Sequence, residues 1–259
     1  MKLFDAHCHI QFGDYFDIDR PEVLQRMESE EMGAIVVGTD LETSKSGVAL
    51  AEQYPFLWAS IGLHPNDNPS EIFDEEAFAI LAQNPKVVAI GECGLDYFRS
   101  AKTPEEKEMQ QQRFEKQIIL AISVQKPLII HCREAHEDML VLLTRYKKIH
   151  GDALQIVMHF FTGSGALAEQ YLTLGCFLSF PGPITYTDMY DDSIRVTPIT
   201  NILTETDSPF AAPVPHRGKR NEPAYVKAVL EKIARVKELS LSELEEQVMQ
   251  NAIRAFSLH

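Results

Sequence analysis

The sequence predicts an α/β protein in which a single domain forms a (β/α)₈ barrel. Eight short apolar runs, rich in β-branched residues, alternate with helix-like segments along the 259 residues, a length that suits one such barrel. No G-x-G-x-x-G motif follows an apolar run, so the main sequence signal of a dinucleotide-binding open sheet is missing. Together these observations favour a closed barrel over a doubly wound sheet.

The apolar runs are the predicted strands. In chain order they are Leu3–Ala6, Ala34–Val37, Trp58–Ile61, Val87–Ile90, Leu128–Ile130, Gln155–Met158, Phe177–Phe180 and Ile202–Leu203. The fifth run is entirely apolar, as expected of a parallel strand that is covered on both faces. No linker, repeat or low-complexity tract separates the runs, and residues 1–259 are therefore interpreted as one domain.

Helices are predicted between the strands and after the last one. They are Pro21–Glu31, Thr43–Gln53, Asp74–Gln83, Pro104–Val124, Ala135–Ile149 and Ser164–Leu174, followed beyond a proline-rich loop by Pro223–Lys237 and Ser240–Phe256. The fourth of them shows the expected signals most clearly. Thr103 can cap it, Pro104 suits its first turn, and acidic residues follow near the positive end of the helix dipole.

The net charge and the first residues of the sequence limit the possible partners and cellular locations. The net charge of −14 argues against a protein that coats nucleic acid through a general basic surface, but it leaves room for a local phosphate site. The chain reaches the carboxylate of Asp5 and then a histidine too early for a signal peptide, and no apolar run has the length of a transmembrane helix. We therefore expect a cytoplasmic protein with no membrane partner, and the sequence shows no obligate protein partner.

The four cysteines carry no disulfide or zinc-ribbon signal. Cys8, Cys93, Cys132 and Cys176 lie far apart, without a C-x-x-C pair. The first three stand next to candidate metal ligands, which leaves thiolate ligation open. Because adjacent residues of a strand face opposite ways, packing is the favoured role.

Histidines and carboxylates recur where the predicted strands end. In a barrel the functional groups lie at the carboxyl ends of the strands, and such side chains suit divalent cations. The candidates are His7, His9, His64, Glu92, His131, His159 and Asp207. His7 and His9 are two residues apart in a predicted strand, so they face the same way.

Individual candidates have more than one possible role. Glu92 stands between two glycines, and its two oxygens could bridge ions ~3.5–4 Å apart. His131 and His159 end neighbouring strands and together favour a second ion, although either alone could be a core histidine. Asp207 could complete the first ion's ligands or accept a proton from water. Glu205 could support Asp207 or form a salt bridge in the barrel.

Other polar residues could contact the substrate. His64, in a tight Gly-Leu-His-Pro turn, is a candidate ligand, a candidate substrate contact or a loop histidine bonded to backbone. Arg133 could bind a phosphate through two parallel hydrogen bonds or form a surface ion pair. Lys219 and Arg220, in the proline-rich loop, could contact a nucleic-acid backbone or remain solvated.

Seven motifs then resemble one family. D-A-H-C-H, G-L-H-P, G-E-C-G-L-D-Y, P-L-I-I-H-C-R-E-A, H-F-F-T-G-S, E-T-D-S-P-F and G-K-R-N-E-P run in order from residue 5 to residue 223, and together they resemble the TatD family of metal-dependent deoxyribonucleases. That family belongs to the amidohydrolase-like TIM barrels. The resemblance implies a hydrolase that acts on DNA, with 3′ to 5′ exonuclease activity as in several members.

The resemblance also implies roles for the candidates. His7, His9 and Asp207 would hold one divalent ion, His131 and His159 would hold a second, and Glu92 would bridge them. His64 would lie near the scissile phosphate, so that Glu92, Asp207 and His64 form the expected catalytic set. The histidines favour zinc or manganese, whereas the family implies magnesium. Phe160 departs from the family, which often has a small residue or a cysteine there.

Two alternatives remain at this point. The same barrel could hydrolyse another ester or an amide, as an amidase, lactonase, deaminase or D-aminoacyl-tRNA deacylase. Amidohydrolases often bridge their ions with a carboxylated lysine, but here Glu92 takes that place and no lysine ends a predicted strand. A non-enzymatic metal-binding protein would need a closed set of ligands, whereas a bridging water leaves the site open.

Overall fold

Eight parallel strands form one sheet in which each strand pairs with the next in the chain. The computed structural model describes residues 1–13, 17–66 and 71–258. The strands are β1 (Leu3–Cys8), β2 (Met32–Val37), β3 (Leu57–Ile61), β4 (Val87–Asp96), β5 (Leu128–Arg133), β6 (Ile156–Met158), β7 (Phe177–Phe180) and β8 (Ile202–Thr204). Each contains most or all of one predicted strand, and the predicted (β/α)₈ barrel is confirmed.

The first and last strands meet and close the barrel at its carboxyl end. The hydroxyl of Thr204 donates to the carbonyl oxygen of Phe4 at 3.2 Å, and the amide of Asp207 donates to the carbonyl oxygen of His7 at 2.9 Å. Because these bonds join β1 to β8 and the turn after it, the start of the chain and residues two hundred positions later share one end of the barrel.

Helices follow each of the first seven strands, and two more follow β8. Within the described ranges they are α1 (Arg20–Ser29), α2 (Leu41–Ala51), α3 (Glu75–Leu81), α4 (Pro104–Ser123), α5 (His136–His150), α6 (Gly165–Thr173), α7 (Asp191–Val196), α8 (Val226–Lys237) and α9 (Leu241–Phe256). The predicted cap of α4 is confirmed, since the Thr103 hydroxyl accepts the Glu106 amide while the Glu106 carboxylate accepts the Thr103 amide.

The final helix covers the amino end of the barrel. Ala252, Ala255 and Phe256 of α9 pack against a buried cluster that contains apolar residues from all eight strands. The side chain of Asn251 donates to the carbonyl oxygens of Ile199 and Ile202, which lie before and at the start of β8. With this end covered, the open end is the one at the carboxyl ends of the strands.

The structure differs from the prediction most clearly in three places. Helix α7 was not predicted, and residues 223–225 form a 3₁₀ turn before α8 rather than its first turn. Strand β4 continues past its predicted end at Ile90 to Asp96. The extension needs glycine at positions 91 and 94, because any side chain there would collide with the backbone of β5. Without side chains at these positions the two strands can approach closely.

No helix in the described ranges is both long and apolar enough to span a membrane.

Candidate metal centre and active-site cleft

The seven predicted site residues come together at the open end of the barrel. His7, Glu92 and His131 lie inside β1, β4 and β5, and the others follow β1, β3, β6 and β8 directly or within three residues. A cleft of about 510 Å³ is lined by six of them, whereas His7 is fully buried and does not line it. Its lining residues are His9, Phe12, Thr39, His64, Glu92, Asp96, Arg99, His131, Cys132, Arg133, His159, Phe160, Thr162, Asp207, Phe210 and Ala211.

Glu92 stands between two sets of histidines. Its Oε2 atom lies 3.4 Å from Nε2 of His7 and 3.8 Å from Nε2 of His9. Its Oε1 atom lies 2.9 Å from Nδ1 of His131 and 3.5 Å from Nε2 of His159. One oxygen therefore faces the β1 histidines while the other faces the β5 and β6 histidines, the arrangement that a carboxylate shared by two cations requires.

The first set contains His7, His9 and Asp207. The Nε2 atoms of the two histidines lie 3.2 Å apart, and Oδ1 of Asp207 lies 3.3 Å from Nε2 of His9. Nδ1 of His9 lies 2.7 Å from the carbonyl oxygen of Val37, which can only accept a hydrogen bond. A proton of His9 is therefore on Nδ1, and its Nε2 atom faces His7 and Asp207. Ligand atoms of these three residues lie within 4.8 Å of one another.

Carboxylates orient the two histidines of the second set. Nε2 of His131 lies 3.0 Å from Oδ2 of Asp96, and Nδ1 of His159 lies 2.9 Å from Oε1 of Glu205. In each ring the nitrogen that faces away from Glu92 meets an acceptor, which directs the other nitrogen toward Glu92. Such outer carboxylates are typical partners of metal-binding histidines.

The charges of the site are strongly coupled. Burial tends to raise the pKa of Glu92, but His159, His64, His131 and His7 outweigh it and hold that pKa well below its usual value. Burial likewise opposes ionisation of Asp207, yet the hydrogen bond from His9 and the nearby histidines lower its pKa. Both carboxylates are thus ionised at neutral pH, the state in which carboxylates bind metal ions.

His64 has the geometry of a hydrogen-bond donor rather than a ligand. Its Nδ1 atom accepts the backbone amide of Asn66 at 3.2 Å, so the ring proton lies on Nε2. That Nε2 atom is 3.5 Å from Oε1 of Glu92 and faces the cleft. His64 also forms a possible ligand group with Glu92 and His131, but a protonated Nε2 offers no lone pair to a cation. The backbone bond predicted for His64 is therefore present at Nδ1, while the Nε2 proton at the cleft suits the substrate contact.

Glu205 does not support Asp207, contrary to one of its two predicted roles. It is fully buried and accepts the backbone amide of Phe160 at 2.8 Å while it faces His159. Phe160 itself forms part of the cleft wall, at the position where the sequence departs from the family.

The three cationic candidates differ in their surroundings. Arg133 is exposed at the cleft, and its guanidinium lies 3.8 Å from the ring centroid of Phe98. None of the described carboxylates forms an ion pair with Arg133, so the predicted surface ion pair is not found. Arg220 pairs with Asp19 through two bonds of 2.8 and 2.6 Å, and Lys219 is exposed. Neither Lys219 nor Arg220 lines the cleft.

Two further residues of the site, Asp96 and Arg99, were not predicted from the sequence. Asp96 lies in β4 four residues after Glu92, so the two-residue period of a strand puts both carboxylates on one face, and this signal could have identified Asp96. Arg99 lines the cleft from the following turn, for which no periodic signal exists.

The cysteines are free thiols, as the sequence indicated. Cys8, Cys93 and Cys176 are buried and Cys132 is partly buried. Burial raises the pKa of Cys132 and of Cys176 to about 12. No cysteine belongs to a possible ligand group of the described residues. These properties fit the packing role.

Histidines and carboxylates that converge at the carboxyl ends of a parallel barrel define a TIM-barrel hydrolase of the metal-dependent class. Comparison with known families gives the same class and narrows it. The family model described as "TatD related DNase" matches residues 4–257. The chain belongs to this family, and the resemblance seen in its motifs is confirmed.

Individual relatives cover almost the whole chain. A metal-dependent hydrolase of Bacillus subtilis (strain 168), YabD, is 40% identical over 262 residues, which cover 99% of this chain and 100% of the relative. The "3'-5' ssDNA/RNA exonuclease TatD" of Salmonella typhimurium (strain LT2) is 35% identical and covers 90% of each chain. The crystal structure of YJJV, a TatD homologue from Escherichia coli K12, has a TM-score of 0.89 at 29% identity and covers 100% of this chain and 99% of its own.

Proposed function

We propose that this protein is a phosphodiesterase that removes nucleotides from the 3′ end of single-stranded DNA with the help of two divalent ions. The observation that carries the proposal is the position of Glu92, whose two oxygens face two different sets of histidines at an open cleft. The relative named as a 3'-5' exonuclease supports this choice of substrate. Neither an amidase nor a closed metal-binding site is favoured by these observations.

The residues fit two ions. We assign His7, His9 and Asp207 to one ion, His131 and His159 to the other, and Glu92 to both. The Nδ1 atom of His7 is buried and has no hydrogen-bond partner among the described residues. The Nε2 atom of the same ring faces His9 and Glu92, which is the direction that binding of the first ion requires. When bound, such ions activate a water molecule and neutralise charge on the phosphoryl oxygens. Magnesium, manganese and zinc all suit this mixed set of donors.

Three side chains act on the substrate in this proposal. The Nε2 proton of His64 is donated to an oxygen of the scissile phosphate, since Nδ1 is already an acceptor for Asn66. Arg133 binds a phosphate through the edge of its guanidinium, because stacking on Phe98 occupies only the face of that group. Asp207 accepts the proton of the attacking water as general base.

One set of assays tests the proposal. Labelled single-stranded DNA, a phosphodiester dye and an acyl ester are each incubated with the metal-free protein after addition of magnesium, manganese or zinc. We expect metal-dependent release of nucleotides from the 3′ end and turnover of the dye. Hydrolysis of the acyl ester alone would instead favour a deacylase, and activity on cyclic amides or lactones alone would favour an amidohydrolase.

Two further predictions accompany this function. We infer a cytoplasmic location and one domain over the whole chain, as the sequence indicated. Cell fractionation tests the first. A single transition in calorimetric unfolding tests the second.

A further inference from the structure

Helix α4 carries two buried glutamines that the proposed chemistry does not use. Gln110 is 6% exposed and Gln117 is 1% exposed. They are seven residues apart, about two helical turns, and therefore lie on the same face of the helix. Each forms a pair of hydrogen bonds with the backbone of one residue at the carboxyl end of a strand.

Gln117 binds the residue that precedes His64. Its Oε1 atom accepts the amide of Leu63 at 2.8 Å, and its Nε2 atom donates to the carbonyl oxygen of Leu63 at 2.9 Å. The amide of His64 in turn donates to the carbonyl oxygen of Thr39 at 2.8 Å. The backbone of the His64 turn is thus held from α4 on one side and from the end of β2 on the other.

Gln110 binds the residue that orients His131. Its Oε1 atom accepts the amide of Asp96 at 2.9 Å, and its Nε2 atom donates to the carbonyl oxygen of Asp96 at 3.2 Å. The Asp96 carboxylate uses one oxygen for His131 and the other for the backbone amides of Phe98 and Arg99. The paired contact that α4 makes with Leu63 is thus repeated two turns earlier, although Nε2 of Gln110 also donates to the Ser100 hydroxyl at 2.8 Å and to Oδ1 of Asn66 at 3.4 Å.

We propose that Gln110 and Gln117 are positioning residues that set where His131 and His64 stand relative to Glu92. A paired amide contact fixes both the distance and the rotation of the backbone segment that it binds, and a buried amide pair is costly to leave unmade. The effect of these residues on turnover rests on the proposed function. A displacement of about 1 Å at a reacting group can cost on the order of 100-fold in rate.

The test begins with a measurement that needs no turnover. Gln117→Met and Gln110→Met retain length and volume but remove the hydrogen bonds of the side-chain amide, and Gln112→Met, at an exposed position of the same helix, is the matched control. Imidazole signals of the ¹³C-histidine-labelled full chain are assigned with His64→Ala and His131→Ala. We expect Gln117→Met to shift the His64 signals, Gln110→Met to shift the His131 signals, and Gln112→Met to shift neither.

The proposal is overturned if the two glutamine variants leave these signals at their wild-type positions, or if they shift all histidine signals together. Should Gln117→Met fail to fold, Gln117→Glu keeps the acceptor for the Leu63 amide and should show the His64 shift in a folded protein. A wild-type protein that hydrolyses no phosphodiester would contradict the proposed function. The histidine signals would still show whether the two glutamines position His64 and His131.

Turnover of a phosphodiester dye gives the second measurement. We expect Gln117→Met to lower kcat by about 10- to 100-fold with little change in KM. In the His64→Ala background the same substitution should lower kcat by less than about twofold, because residues that act through one another are not additive. An equal loss in both backgrounds would show that Gln117 does not act through His64.

Discussion

At the scale of single residues, Asp96 decides which nitrogen of His131 faces Glu92. Its carboxylate accepts from Nε2 of His131 at 3.0 Å, which leaves Nδ1 directed at Glu92, 2.9 Å away. Burial tends to raise the pKa of Asp96, but the bonds to His131 and to the following turn hold it below its usual value. Asp96 therefore remains an ionised acceptor for the imidazole N–H.

Asp96→Asn should weaken metal binding because an amide can present a donor to Nε2 and no longer fixes the tautomer of His131. We expect a loss of about 10- to 100-fold in affinity for the more weakly bound ion, measured by competition with a chromogenic chelator. Asp138→Asn is the control, since Asp138 lies nearby but bonds to Tyr97 and Gln111 rather than to a histidine. Equal affinities for Asp96→Asn and wild type would contradict this role.

His159 makes the stability of the metal-free protein depend on pH. Burial lowers its pKa, but the carboxylates of Glu205 and Glu92 outweigh this and raise it to about 10. A histidine whose pKa is higher in the folded than in the unfolded chain adds stability that is complete below the ordinary value of about 6.5 and is lost as the pH rises through the folded value.

We therefore expect the melting temperature of the chelator-treated protein to fall between pH 7 and pH 10. Glu205→Gln should make this fall smaller, because it removes one of the two carboxylates that stabilise the protonated ring. Thermal melts followed by circular dichroism in matched buffers measure both effects. A melting temperature that rises over this range, or an unchanged profile in Glu205→Gln, is incompatible with this assignment.

At the scale of elements, the proline-rich loop, residues 209–223, is tied to α1 by two ion pairs. Arg220 binds Asp19 at the start of α1 with two bonds, and Arg26 of α1 binds Glu222 with bonds of 3.0 and 2.6 Å. Because Phe210 and Ala211 of the same loop line the cleft, these pairs help to place one wall of the site.

Arg220→Met should loosen this loop without changing the barrel. The Arg220–Asp19 pair is partly exposed, so we expect a loss of about 1 kcal/mol or less and a fall of a few degrees at most in melting temperature. Cleavage of the loop by a protease at low concentration should nevertheless accelerate. The exposed neighbouring change Lys219→Met is the control, and the same cleavage rate in the two variants would show that the ion pair does not restrain the loop.

The strands could be predicted because they are continuous apolar runs, and His7 and His9 because a two-residue period alone puts them on one face. Helix α7 could not, because six residues are too few to display a helical period. The partner of Glu205 could not be predicted either. That contact forms because the turn after β6 lies beside the segment after β8. Phe160 and Glu205 are 45 positions apart in the sequence, and no local pattern predicts that they meet.

At the scale of the whole molecule, the site is assembled from distant parts of the barrel. The candidate ligands come from β1, β4, β5 and the segments after β1, β6 and β8, so bound ions would connect strands from the first to the last. The protein carries a net charge of −14, yet Arg99 and Arg133 stand at the cleft, where an anionic substrate would enter. The cleft also holds the carboxylates of Glu92, Asp96 and Asp207, so bound divalent ions would be needed to make its local charge positive.

Removal of the metal should destabilise the entire barrel rather than one loop. A ligand that binds only the folded state stabilises it by about 2.7 kcal/mol at a concentration 100 times its Kd. We expect chelation to lower the melting temperature in a single cooperative transition, and added manganese or zinc to restore it in proportion to the logarithm of its concentration. No change on chelation would mean that the centre does not bind ions tightly.

The most direct test of the two-ion centre is the number of ions bound by wild type and by Glu92→Gln. The substitution keeps the shape of the side chain but removes the charge that faces both histidine sets, and Glu108→Gln on the exposed face of α4 is the control. Metal content is measured by mass spectrometry after equilibrium dialysis, together with hydrolysis of single-stranded DNA. We predict two ions per chain and full activity for wild type and Glu108→Gln, but at most one ion and a rate lower by about 100-fold or more for Glu92→Gln. Two bound ions and wild-type hydrolysis in Glu92→Gln would contradict the account.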